Sequence, residues 1–308
     1  MVTFRFYLVS LVAVFLALAM GVVVGSTLID RAIVDRLDRS VESVSRRLDR
    51  QQEENAELQD ELQELRDYSD ATAPQVVEGA LEGGAVAVVA ERGIEPSVVE
   101  DAVALLQSAD ATTPGILWLE PGWALADDGD RVRMAEAIDV QGTGPGRLRD
   151  RAWGRLVTAL EGGSVQGEPL QELADGGFIT YQDVGDTGSG VGALVGVAEQ
   201  VVLVAGPESQ LGDDVTLALS RGLVQAGVPA VVAESWVDDD DGPARGAVVE
   251  PVRDAEDLTD VVTTVDDLDL VQGRVATTLA LAEMRAGGRG HYGYGPGADG
   301  PLPELPAP

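Results

Sequence analysis

The chain has 308 residues, with 21 basic side chains, all arginine, against 53 acidic ones, for a formal net charge of −32 at pH 7. A charge of that sign disfavours nucleic acid and anionic lipid as partners, because both are held through cationic surfaces. With no cysteine and one histidine, disulfides, thiolate metal sites and cysteine nucleophiles are excluded, while 45% hydrophobic and only 4% aromatic content points to a core of Val, Leu and Ala.

From Phe6 to Ile29 there are 24 residues without a charge. At ~1.5 Å per residue a helix of that length spans ~36 Å, enough to cross a ~30 Å hydrocarbon core with some tilt. A cleaved signal peptide is the competing reading, since Ala17-Leu18-Ala19 resembles a cleavage site. The apolar run continues through Val22, Val23 and Val24 to Ile29, which favours a retained anchor over residues 1–29. Ala13, Ala17, Gly21 and Gly25 recur every four residues, and the last two form a GxxxG pair. Small side chains on one face let two membrane helices approach closely, so these four residues are the expected dimer face of the anchor.

Beyond the anchor, apolar residues fall into alternating spacings of three and four. Val34, Leu37, Val41, Val44, Leu48, Leu58, Leu62 and Leu65 occupy a and d positions, with Gln51 and Asn55 filling the two gaps. Sustained over about five heptads, the pattern predicts a parallel dimeric coiled coil over residues 30–70. A buried Asn55 at an a position favours the in-register dimer. Parallel anchors from one membrane deliver parallel coils, so a homodimer with a stalk of ~60 Å is expected. Thr72, Ala73 and Pro74 are expected to end the coil.

Residues 74–286 read as an α/β domain, Rossmann-like or flavodoxin-like. Ala85–Ala90 (strand), Ser97–Ala109 (helix) and Ile116–Leu119 (strand) form one βαβ-like unit. Val201–Ala205, Asp213–Ala226 and Ala230–Ala233 form a second at similar spacing, implying a parallel sheet covered on both faces. Helical stretches Arg131–Val140 and Leu148–Leu160 and the strand-like Phe178–Tyr181 lie between them, and Gly273–Ala286 reads as a closing helix. Residues 287–308, rich in Gly and Pro, are expected to be disordered.

Little of the sequence announces chemistry. The run Gly188-Ser189-Gly190-Val191-Gly192 has the glycines of a dinucleotide fingerprint but no room for the helix that would bind pyrophosphate, and reads as a loop. Asp238–Asp241 and the group Asp266, Asp267, Asp269 have the oxygen ligands of a hard cation, yet in so acidic a chain they read as solvated loops, with Asp266 placed to cap a short turn. His291 offers a metal at most one imidazole. No nucleophile–base pair is visible, so no catalytic residue, no enzyme activity and no cofactor are expected.

Several stretches carry a family likeness. The anchor from Ala13 to Ser26, Gly177-Phe-Ile-Thr-Tyr181-Gln182, Thr264-Val-Asp-Asp-Leu-Asp269 and His291-Tyr292-Gly293 resemble, in order and over nearly the full length, the MctB family of actinobacterial envelope proteins named as copper transporters. The resemblance implies membrane association, a domain outside the cytoplasm and a role in copper efflux or homeostasis. It also implies a membrane or envelope protein as partner, since relatives are linked to envelope assembly and cell separation. One departure is Pro296, where related tails carry a second histidine. The residues fit a transport name poorly. Cu(I) prefers thiolate and thioether ligands and Cu(II) imidazole, whereas this chain has one His and four scattered Met: Met1, Met20, Met134 and Met284. One uncharged span does not line an aqueous path, and strands separated by helices do not suit a β-barrel. Copper as a ligand therefore rests on the resemblance alone.

Charge does not fix orientation. Arg5 stands alone before the span and Arg31, Arg36, Arg39, Arg46 and Arg47 follow it, which by count would put the domain inside; that rule weakens for long translocated domains. The resemblance places the domain outside a cell membrane crossed once, with the outer membrane as the alternative. Three readings follow. The first is an anchored dimer presenting its α/β domain to an envelope partner, the second a copper-transport component, and the third and weakest an enzymatic or small-molecule-binding domain.

Overall fold

A computed structural model of the chain describes residues 4–142, 144–163, 168–185, 189–237 and 242–304, with residues 26–41, 43 and 213 described by backbone alone. The chain divides into two compact units, residues 1–66 and 67–308.

The described residues of the first unit belong to one helix, α1 (Phe4–Val77). Its stretch Phe4–Gly25 is long and apolar enough to cross a membrane. Pro74 lies inside α1, and the helix continues to Val77 rather than stopping at Thr72–Pro74. An interior proline forfeits a helical hydrogen bond and crowds the preceding turn, costing ~3 kcal/mol. The compensation is tertiary, because Ala73, Val77 and the following Leu81 are buried in the core of the second unit.

The second unit is a sheet of seven strands among the described residues, in the order β3-β2-β1-β4-β5-β6-β7. The strands are β1 (Val86–Glu91), β2 (Gly115–Leu119), β3 (Ile179–Asp183), β4 (Gln200–Ala205), β5 (Ala230–Glu234), β6 (Thr263–Val265) and β7 (His291–Tyr292). β3 is antiparallel to β2 and the other pairings are parallel. Every residue of β1, β2, β4 and β5 is buried, as a parallel sheet covered on both faces requires.

One face carries α3 (Asp128–Ala137), α4 (Pro145–Leu160), α5 (Pro169–Asp175), α6 (Asp213–Ala226) and the short α7 (Glu250–Arg253). The other carries α2 (Pro96–Ser108), α8 (Val271–Arg285) and the buried end of α1. Alternate residues of β1 divide between the two cores, Ala87 and Val89 toward one, Val86, Val88 and Ala90 toward the other. Trp153 of α4 packs edge-on against Trp123, ring centroids 5.9 Å apart, and donates its Nε1–H to Leu219 O of α6.

The expected disorder of 287–308 is corrected for residues 287–304. β7 pairs with β6, His291 and Tyr292 are buried, and the Tyr292 hydroxyl donates to Glu283 at 2.5 Å. A Gly- and Pro-rich segment gives no apolar periodicity to read, yet polar contacts hold it. Asp299 N–H donates to His291 O, Gly293 N–H to Gly300 O, and the Arg253 guanidinium to Tyr292 O and Pro296 O.

Candidate functional site

Chain order reverses between β1 and β4: from β1 the sheet grows outward to β2 and β3, and then the chain returns to place β4 on the other side. In open α/β sheets the crevice beyond the strand carboxyl ends at such a reversal is where ligands bind. β1 and β5 end in the same pentapeptide, Ala-Val-Val-Ala-Glu, at 87–91 and 230–234. Leu119 pairs with Glu91, Val204 with Ala90 and Ala205 with Glu234, so both glutamates and Ala205 stand at one level. The Ala233–Val265 pair sets Asp266, just past β6, at that level too. A row of carboxyl groups therefore crosses the carboxyl edge of the sheet.

Glu91 lines a cavity of about 400 Å³ at the reversal point. The cavity lies between the turn after β4, the start of α6 and the segment 243–251. Gly206 is required there, because a Cβ would fall 2.4 Å from Ser235 O. The Glu91 side chain is fully buried and accepts the Thr216 hydroxyl at 2.7 Å and the Ser209 hydroxyl at 2.5 Å. Burial pushes its pKa up to about 7 against the pull of the two hydroxyls. Besides these three side chains, the walls are Gly, Pro, Ala and Val.

Glu234 shapes the neighbouring wall. Its carboxylate accepts the backbone N–H groups of Gly246, Val248 and Val249 at 2.8, 2.9 and 3.1 Å, which fixes the loop presenting Ala247 and Val248 to the cavity. Burial raises its pKa to about 7, with the Asp266 charge adding to that and the three N–H groups opposing it.

The aspartates at 266–269 are corrected from a solvated loop: Asp266 and Asp267 are buried and Asp269 is half-buried beside them. Asp266 pairs with Arg253 at 2.9 Å, both groups buried, and accepts the N–H groups of Tyr294 and Gly295. It thus caps the tail segment at 294–295 rather than the short turn expected. Asp267 is buried with neither carboxyl oxygen hydrogen-bonded among the described residues, and burial, followed by the Asp266 charge, lifts its pKa to about 7. Asp269 holds Arg245 through two bonds of 2.9 and 3.0 Å. Among the described residues no three His, Cys, Asp or Glu side chains are grouped to hold a metal ion.

His291 sits beside this cluster, buried. Its Nε2 faces Thr259 O at 3.1 Å, so that nitrogen carries the proton, and its Nδ1 lies 3.0 Å from Thr264 Oγ1. Thr264 Oγ1 already accepts from Arg253 Nε, leaving its own proton for Nδ1. Burial, then the Arg253 charge, lowers the His291 pKa. Both ring nitrogens are engaged, and a metal would displace one of these bonds.

On the anchor, Ala13, Ala17 and Gly21 are exposed and Gly25 is half-buried, with open space around a Cβ built at either glycine. On the lower part of the helix Val44, Leu48, Leu58, Leu62 and Leu65 are each more than half exposed, and Gln51 and Asn55 are exposed as well. The side chains of Val34, Leu37 and Val41 lie outside the described residues, as do Gly188 and Asp238–Asp241. Glu91 and Glu234 were invisible to hydrophobic patterning because each is the residue just past an apolar run; the repeated pentapeptide is the signal that marks them.

The comparisons with known proteins agree with one another. A family model described as "Copper transport outer membrane protein, MctB" matches residues 1–303. The Copper transporter MctB of Mycobacterium tuberculosis is 27% identical over 320 residues, covering 97% of this chain and 98% of the relative. That of Mycobacterium leprae is 25% identical over 322 residues, again covering 97% and 98%. Matched almost from end to end by the family model, this chain belongs to the MctB family.

Proposed function

We propose that the chain is a single-pass membrane-anchored envelope protein that dimerises through its coiled-coil seam and acts by presenting its α/β domain to an envelope partner. The copper role carried by the family name would then run through that assembly, not through a conducting path in the chain itself. The observation that carries this reading is the seam: five Val and Leu side chains at coiled-coil spacing, from Val44 to Leu65, are more than half exposed. A sustained narrow apolar stripe is what a second helix of the same kind covers. The one apolar span among the described residues and the engaged His291 ring support the second half of the proposal.

The test is the mass of the full chain in detergent, by light scattering or sedimentation. A dimer that becomes monomeric in Leu58→Asp/Leu62→Asp, with the unfolding temperature of the α/β domain unchanged, is the expected result; a wild-type monomer would overturn the dimer. The copper clause is tested on the same sample by Cu(I) and Cu(II) titration against a competing chelator. Tight stoichiometric binding lost in His291→Ala would favour a copper carrier instead. The family name also supports an envelope location with the domain outside the cytoplasm. Since the chain has no cysteine, Ser108→Cys would give one exposed thiol. Labelling of that thiol in intact cells by a membrane-impermeant maleimide is expected, and labelling only after lysis would reverse the orientation.

A further inference from the structure

We infer that the cavity beyond the carboxyl ends of β1 and β4 binds a small organic cation, an amidinium, guanidinium or amine head on an apolar body, with Glu91 as its counter-charge. The position is the crevice where doubly wound sheets take their ligands. The volume of about 400 Å³ falls within the range of small-molecule sites. Its one charged lining group among the described residues is a fully buried carboxyl that accepts two hydroxyls. A carboxylate has about four lone-pair sites, so those two bonds leave acceptor capacity unused on a group that lines the cavity. Buried charges in proteins are paired, and among the described residues no cationic side chain lines this cavity.

The groups on the surrounding elements point the same way. Arg92, next along β1, is bonded to Glu120 and stacked on Trp118; Arg149 of α4 pairs with Asp214 of α6; Arg245 pairs with Asp269. Arg221 of α6 pairs with Asp257 and Arg253 of α7 with Asp266, so each of these five arginines already has a carboxylate partner. Glu234 stands on β5, and Glu208 sits at the rim, its Oε2 3.4 Å from where a Cβ on Gly206 would lie. Among the described residues an anion would therefore meet no cationic side chain in the lining, and the proline and aliphatic walls suit the apolar body of an organic cation. A bare metal ion is disfavoured by the absence of grouped ligands among the described residues.

The test uses three probes of one shape, benzamidine, benzyl alcohol and benzoate, on the full chain in detergent micelles, with saturation-transfer NMR and empty micelles as blank. Saturable benzamidine binding is expected, at least about tenfold tighter than either other probe. Glu91→Gln should weaken it by about tenfold or more, since the counter-charge is lost while the shape is kept. Ala247→Trp, which fills the cavity from its wall, should abolish it and covers the case in which Glu91→Gln does not fold. Because the cation selects the ionised carboxylate, affinity should also fall by up to about tenfold per pH unit below 7. Equal binding of benzyl alcohol, insensitive to Glu91→Gln, would reduce the cavity to an apolar hole and overturn the inference. Preference for benzoate, or no saturable benzamidine binding below about 10 mM, would overturn it too.

Discussion

Glu234 accepts three backbone N–H groups from the loop at 246–249, so its carboxylate replaces the secondary structure that this loop lacks. Removing it leaves three donors unpaired, two of them, on Gly246 and Val249, buried, and an unsatisfied buried donor costs about 1–3 kcal/mol. Glu234→Ala is therefore expected to lose about 3 kcal/mol in urea unfolding, and a loss below about 0.5 kcal/mol would show that the loop holds itself. Arg253 is the matching case for the tail. It is buried, pairs with Asp266 and reaches Thr264 Oγ1, Tyr292 O and Pro296 O. Cutting one partner from a buried ion pair typically costs about 3–5 kcal/mol. Arg253→Met should cost about that much, and limited proteolysis should then cleave first after residue 287. Cleavage that stays as slow as in the wild type would mean that β7 does not depend on this side chain.

α4 and α6 meet where Gly222 faces Trp153, and a Cβ at 222 would lie 2.1 Å from Trp153 Cδ1. Gly222→Ala must displace the indole and strain its bond to Leu219 O, an overpacking cost of about 1–3 kcal/mol. Gly154 is the control on α4, exposed with nothing within 4 Å of a built Cβ. There alanine should stabilise by about 0.5–1 kcal/mol through helix propensity alone. Opposite signs for the two substitutions in thermal unfolding are the expected outcome, and equal signs would mean that the α4–α6 contact is looser than drawn. The same elements show how far patterning reaches. The buried runs of β1, β2, β4 and β5 and the amphipathic α2, α4 and α6 were legible because continuous apolar stretches and 3.6-residue periodicity are local properties. β6 is three residues, β7 is two, and α5 is seven, too short for a period to emerge. Pro74 misled because the burial of Ala73 and Val77 that offsets it is a tertiary fact. The candidate site was less legible still: its glutamates end apolar runs, and their convergence depends on a strand order that no local pattern encodes.

Across the whole molecule, the buried acids set a pH dependence opposite to that of most proteins. Glu91, Glu234 and Asp267 are raised to about 7 from ordinary values of 4.5, 4.5 and 3.8. Between those limits the native state binds protons that the unfolded chain has released, so their contribution is fully present below about pH 4 and is lost as pH rises through 7. His291 works the other way. Its lowered folded pKa means that the unfolded chain gains a proton first, and stability falls as pH drops below about 6.5. Glu120, whose carboxylate is lowered by Arg92 and Thr180 against its burial, likewise contributes only above the usual carboxylate range. Three raised acids outweigh one histidine between pH 5 and 8, and titrating carboxyls also relieves the self-repulsion of a chain at −32. All four tryptophans, Trp118, Trp123, Trp153 and Trp236, belong to the α/β unit, so indole fluorescence reports its unfolding without interference from the helical unit. The melting temperature by that signal should be higher at pH 5 than at pH 8 by roughly 5 °C or more. Glu91→Gln should flatten the slope, because a neutral amide no longer releases a proton on the way up. A profile that rises toward pH 8 would instead show these carboxyls ionised and paired in the native state, and would remove the buried, cation-free character on which the switch-point cavity depends.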